Sequence, residues 1–208
     1  MRHCIQACTS DKVNVLKGVT AGLVGGLVAS WVMEEFQAAW SKVSENLAGS
    51  QETNTPGTAG DQSKRSQHTR VHSSSPEQQQ GDGAQGGAAE QEPATVKAAQ
   101  AISEGLFGHK MTKHEKKIAG DAVHYAFGTA VGGLYGGLAE VEPKVSTGLG
   151  LPFGTVFWLV ADETAVPLLG LSKAPSEYPL STHVYALASH LVYGVTADIV
   201  RRGVRSVL

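Results

Sequence analysis

Residues 18–33 read GVTAGLVGGLVASWVM, a run without a single charge, and its spacing decides the fold. Gly18, Gly22, Gly26 and Ser30 recur at every fourth position. On a helix that spacing puts a groove of small residues along one face. Within lipid there is no hydrophobic drive between helices, so such a groove lets two backbones approach and gain dispersion contacts. The spacing returns in residues 122–139, AVHYAFGTAVGGLYGGLA, at Gly128, Gly132 and Gly136, with Gly120 in the same series. Two matching ladders predict that these two apolar helices pack closely. They do not resemble a nucleotide loop, because Gly22-Leu23-Val24-Gly25-Gly26 lies inside an apolar run with no strand before it and no GK[ST] after it.

Working outward, two more uncharged and mostly apolar stretches follow at 145–161 and 180–197. A spanning helix needs about 20 residues, within a range of roughly 17 to 25, so all four stretches sit near the lower limit. Glycine is a poor helix former in water but common in transmembrane helices. The expected fold is therefore all-α, an integral membrane bundle of about four short Gly-rich transmembrane helices. Gly makes up 25 of the 208 residues and charged residues only 17%, against about 25% charged in an average soluble chain. With 17 Lys and Arg against 19 Asp and Glu, no basic excess exists to hold a nucleic acid backbone. Two cysteines give neither a disulfide framework nor the four ligands of a structural zinc. The bilayer is the expected partner, with a second copy of the chain, joined through the Gly-rich faces, as a further candidate.

Between Leu47 and Val96 the only large aliphatic is Val71, and the tract includes SSSPEQQQGDG at 73–83. Such a segment buries too little apolar surface to offset its ordering entropy. The expected organisation is an N-terminal segment with the first transmembrane helix at 1–43, a disordered polar linker at 44–93, and an amphipathic helix followed by three transmembrane helices at 94–208. A signal peptide is the rival reading of the first stretch, but Glu34-Glu35 follows directly without an A-x-A site, which favours an uncleaved span. Thr112 and Glu115 form a T-x-x-E capping box that starts a helix near Lys113. An even number of spans puts both termini beside Lys17, Lys144, Arg201, Arg202 and Arg205, hence in the cytoplasm; Lys110, Lys113, Lys116 and Lys117 on the linker side oppose this.

The ordered series His124-Tyr125-Ala126-Phe127, Ala139-Glu140-Val141-Glu142-Pro143-Lys144, Pro167-Leu168-Leu169-Gly170-Leu171, His190-Leu191-Val192 and Ile199-Val200-Arg201-Arg202 resembles the YagU-like inner membrane proteins. This bacterial family has no established biochemical activity. The resemblance covers roughly residues 118–203 and implies a multi-pass protein of the bacterial cytoplasmic membrane; it carries over no catalytic residue. It also implies that the third helix runs from about 148 to 171 and holds Asp162-Glu163, whereas composition alone ends that helix at Ala161. Sequence leaves both boundaries open.

At 1.5 Å per residue, the ionisable residues converge on the linker-side half of the bundle. Glu34 and Glu35 close the first helix there, and Asp121 and His124 open the second. His183 and His190 enter the fourth one heptad apart, on a common face. His124, Asp162, Glu163, His183 and His190 form the candidate intramembrane polar cluster, with His124, His190 and Asp162 expected to share one site. It reads either as a proton- or cation-responsive site or as polar groups that hold helices in register. Glu140 and Asp198 are left near the other end. No metal or cofactor is expected: the spans hold no H-x-x-x-H pair, His68 and His72 lie in the linker, and His3, Cys4 and Cys8 sit at the terminus. G-x-S-x-G, H-E-x-x-H and P-loop patterns are absent, so no enzyme is expected. The function classes are a structural or stress-related membrane component first, then a proton- or ion-coupled small transporter or channel subunit.

Overall fold

The computed structural model describes residues 13–52 and 92–208, and every regular element among them is helical. In chain order these are α1 (Val15–Glu52), α2 (Ala94–Phe107), α3 (Lys113–Val141), a 3-10 segment (Pro143–Gly150), α4 (Leu151–Val160), a π turn (Ala161–Ala165), α5 (Val166–Leu168), a short 3-10 turn (Pro175–Glu177) and α6 (Leu180–Val207). The expected 44–93 linker lies mostly outside the described residues. Its first part does not: α1 continues past residue 43 to Glu52.

The capping box forms as spaced. Glu115 N–H donates to Thr112 Oγ1 at 3.3 Å, and the Thr112 N–H donates to the Glu115 carboxylate at 2.7 Å. The Thr112 N–H foremost, and the Thr112 side chain after it, hold the Glu115 carboxyl below its ordinary range. Gly108 closes α2 in the left-handed region at φ 63°, where glycine carries no Cβ penalty.

α1 and α3 run antiparallel with the two glycine ladders meshed. A Cβ added at Gly22 would lie 2.8 Å from Gly136 Cα, and one at Gly26 would lie 2.9 Å from Gly132 Cα. Gly18 faces the Gly136 carbonyl in the same register, and Gly128 faces Ser30. All six glycines are therefore filled from within the chain. α6 packs on the other side of α1, where a Cβ at Gly25 would come 2.7 Å from the Ala197 carbonyl. Ala29, Met33, Tyr193 and Ala197 form the core, with Phe153 and Phe157 against it.

The burial pattern is inverted relative to a water-soluble helical bundle. Inside are mostly Ala, Gly, Ser and two tyrosines, while Leu23, Leu27, Trp31, Leu134, Val156, Leu159 and Val160 are exposed. Val15–Asn46 and Pro143–Leu168 are long and apolar enough to cross a membrane. α3 and α6 carry more Tyr, His and terminal charge.

The third apolar stretch is broken at its start. Gly148, Leu149 and Gly150 all have positive φ, so the α-helix begins only at Leu151, later than 145 or 148. It then continues beyond Ala161, through Asp162-Glu163 to Leu168, which decides between the two boundaries that sequence left open. Pro167 has no N–H to give to the Glu163 carbonyl and its ring crowds that turn, so the rod widens into a π turn where Thr164 Oγ1 reaches back to the Leu159 carbonyl at 2.8 Å. Gly170, at φ 71°, ends it.

Candidate polar site between the π turn and α6

The π turn presents Asp162 and Glu163 to α6, and each carboxylate meets one histidine. His183 Nδ1 lies 2.6 Å from Glu163 Oε1, and His183 Nε2 lies 3.0 Å from the Pro175 carbonyl. A carbonyl and a carboxylate are both acceptors. With a proton on Nε2 for Pro175, the 2.6 Å contact needs a second proton, on Nδ1 or on the carboxyl. The dyad thus holds a proton as imidazolium–carboxylate or as neutral imidazole with carboxylic acid.

His190 is set differently. Its Nδ1 lies 2.9 Å from the Ala186 carbonyl, to which Nδ1–H donates, and 3.6 Å from Asp162 Oδ2, outside hydrogen-bond reach. The ring is buried and meets Phe157 edge-on at 4.9 Å. The two histidines are one heptad apart, about 10 Å along the helix, and the adjacent carboxylates reach both.

Of the five polar residues singled out in the sequence, four therefore meet along one seam. His124 joins a different contact. Its Nε2 lies 3.4 Å from the Ser30 carbonyl on α1, and beside it Tyr125 donates to the Glu34 carboxylate. The expected single site of His124, His190 and Asp162 resolves into an α4–α6 pair and an α1–α3 contact. The cause is rotation: Gly128, on the same α3 face as His124, is pressed against α1.

A cavity of about 400 Å³ opens beside the dyad, lined by Glu163, Thr164, Pro167, Leu168, Ala174 and Pro175. Among the described residues no three His, Cys, Asp or Glu side chains converge as a metal site. His3, Cys4, Cys8, His68 and His72 lie outside the described residues.

A second charged node lies at the opposite end. Asp198 is wholly buried and accepts from Tyr135 Oη at 2.9 Å, Arg201 at 2.8 Å and Arg202 at 2.8 Å. The Arg201 guanidinium also sits 5.5 Å from the Tyr135 ring centre. Arg205 pairs with Glu140 at 2.7 Å. Sequence reading placed Glu140 and Asp198 at this end without seeing the node; the Asp198, Arg201, Arg202 spacing of i, i+3 and i+4 was its signal. It also missed a further glycine crossing. A Cβ at Gly194 would lie 3.0 Å from Gly154 Cα, and Gly150 meets the Gly194 carbonyl. The i, i+4 pair Gly150 and Gly154 announces that crossing.

A family model described as a protein of unknown function (DUF1440) matches residues 94–199, from the start of α2 to just beyond Asp198. The match includes both His–carboxylate pairs and excludes α1. No curated protein matches the chain, and no solved structure does.

Proposed function

The chain belongs to the DUF1440 family of proteins of unknown function, and from that premise we propose a non-enzymatic integral membrane component in which four helical segments cross the bilayer. The segments are α1, α3, the rod from α4 through α5, and α6. The observation that carries this reading is the inverted burial: backbones touch through Gly and Ala inside, and Leu, Val and Trp face outward. In water that arrangement would leave the apolar surface unburied, whereas in lipid it is the normal route to helix association.

Depths agree with it. Residues 18–40 of α1 rise about 33 Å and residues 180–198 of α6 about 27 Å, close to the roughly 30 Å hydrocarbon core. At the linker-side end Trp40 and Tyr185 lie 5.9 Å apart, the amphipathic ring pair expected at an interface. At the other end stand Lys17, Lys144, Arg201, Arg202 and Arg205, which supports cytoplasmic termini. The cytoplasmic membrane of a bacterium is the compartment that the YagU-like resemblance implies, and a structural or stress-related role is the class we assign.

Two measurements test this. The protein stays in the pellet after carbonate washing and needs detergent for release; recovery as a monodisperse species in buffer alone refutes the membrane reading. Single cysteines at Ser74, Ser146 and Leu208, in a background lacking Cys4 and Cys8, report sidedness. An impermeant thiol reagent on intact cells is expected to label Ser74 and spare the other two; the reverse pattern inverts the orientation.

The Glu163–His183 dyad favours a second reading, a proton- or ion-coupled transporter or channel subunit, because it holds a proton at the linker-side mouth with Asp162–His190 behind it. A pH-dependent flux in liposomes that Glu163→Gln abolishes would establish it over the structural role.

A further inference from the structure

The cavity beside Glu163 has a composition that specifies a ligand. Its wall is apolar, from Pro167, Leu168, Ala174 and Pro175, and its one ionisable lining group is Glu163. The Thr164 hydroxyl is already engaged with the Leu159 carbonyl, so it offers no donor to an anion. Among the described residues no Lys or Arg pairs with Asp162 or Glu163; their partners are His190 and His183. From 145 to 200 the sequence holds one Lys and no Arg, the Lys being Lys173. In the imidazolium–carboxylate form of the dyad, Glu163 carries the negative charge at the cavity wall. Glu163 uses Oε1 toward His183, and a carboxylate has acceptor sites on both oxygens. Leu168 is 81% exposed and its neighbour Leu169 72%, so an apolar surface continues outward from the cavity.

We propose that this cavity binds the ammonium head of an amphipathic amine, with Glu163 as the anionic acceptor and the Pro167, Leu168, Ala174, Pro175 wall around the adjoining carbons. A charge-assisted N–H···O bond is about twice as strong as a neutral one, and a mostly apolar pocket with one placed polar group is the usual form of a small-molecule site. The amine can reach this place as a free molecule or as the headgroup of an ethanolamine lipid whose chains lie along Leu168 and Leu169. The recognition is the same in both cases and does not require that the helices span a bilayer.

The test uses three probes of one shape and three charges, n-hexylamine, n-hexanol and hexanoate, titrated into the full-length protein in a nonionic detergent and followed by calorimetry and by the His183 imidazole NMR signal. Hexylammonium is expected to bind at least tenfold tighter than hexanol and hexanoate and to move the His183 signal. Glu163→Gln removes that preference, and Lys173→Ala leaves it intact. Equal binding of the three probes, or a preference for hexanoate that Lys173→Ala abolishes, overturns the proposal. The comparison within the wild-type protein already decides it should Glu163→Gln fail to fold. Nanodiscs separate the sources: weaker hexylammonium binding in ethanolamine lipid than in choline lipid identifies the headgroup as occupant, and equal binding identifies a free amine. Carbonate extraction is independent of every arm, so failure of amine binding and failure of the membrane assignment are distinguishable.

Discussion

Gly132→Ala is the smallest perturbation that tests the packing. A Cβ at this position would lie 2.6 Å from the Gly22 carbonyl oxygen and 2.7 Å from Gly26 N, and would strike Gly26 Cα. All three are backbone atoms, so no rotamer can relieve the clash. Restoring ordinary separations of about 3.5 Å requires α1 and α3 to part by nearly 1 Å. A radial gap of 0.5–1 Å already forfeits a quarter to a half of each dispersion well, and the loss extends along the ladder to Gly22–Gly136 and Gly26–Gly128. Overpacking of this kind costs about 1–3 kcal/mol.

Helix propensity pushes the other way, since Ala is favoured over Gly by about 0.8–1.0 kcal/mol within a helix in water. The control is Gly203→Ala in α6, where an added Cβ meets nothing within 4 Å; only propensity acts there. Thermal melts in a nonionic detergent, followed by circular dichroism, should show Gly132→Ala lowered and Gly203→Ala unchanged or raised. If Gly132→Ala melts with or above the wild type, α1 and α3 do not touch through these glycines and the meshed register of the two ladders is wrong.

Asp198→Asn leaves the buried Arg201 guanidinium without its counter-charge while the Tyr135 bond can remain, so a loss of about 3–5 kcal/mol is expected from breaking a buried pair, read by the same melt. Gly154→Ala drives a methyl into the His190 carbonyl and should separate α4 from α6; a cysteine cross-link between the two helices that forms at the wild-type rate would contradict it. Glu115 titrates below its ordinary range because it accepts the Thr112 bonds. The sign follows: its support of the α3 cap is complete above the unfolded pKa near 4.3 and fades as pH falls through the lower folded value. NMR should show the Thr112 amide shifting in step with the Glu115 carboxyl and ceasing to titrate in Glu115→Gln.

The fold was legible where a residue type answers to one requirement only. Four-residue glycine spacing in two apolar runs has a single packing use, and the structure meshes Gly18, Gly22 and Gly26 with Gly136, Gly132 and Gly128. The capping box is equally local. What sequence could not supply was rotation about helix axes. His124 and His190 were assigned to one site because their depths agree, yet depth fixes only one coordinate. The ladder turns the His124 side of α3 toward Ser30 on α1, whereas Gly154 and Gly194 turn the His190 side of α6 toward the α4 rod. The break at Gly148-Leu149-Gly150 was hidden for another reason: Leu149 takes φ 54°, a choice that no propensity of leucine announces.

The attachments of the rod from α4 to α5 limit what the polar seam can do. At its base Arg202 bridges Asp198 and the Ser146 carbonyl, which precedes α4. At mid-height Gly154 rests on the His190 carbonyl and Gly150 on that of Gly194, contacts between backbones that no change of pH alters. Toward the linker-side end the attachment is made by ionisable pairs: the Glu163–His183 dyad, which also ties down the Pro175 carbonyl, and the looser Asp162–His190 pair at 3.6 Å. Loss of the second proton leaves the Glu163 carboxylate facing the Nδ1 lone pair while Nε2–H keeps the Pro175 carbonyl, so the π turn is released from α6 and the two lower attachments hold. Any proton-linked movement is therefore confined to about residues 161–179, the walls of the Glu163 cavity. A reporter at Ser172 should respond to pH in the wild-type protein and fall silent in His183→Gln, while one at Ser146 responds in neither; a response at Ser146 that follows His183 would mean that the whole rod moves and that the Gly154 contact does not hold it.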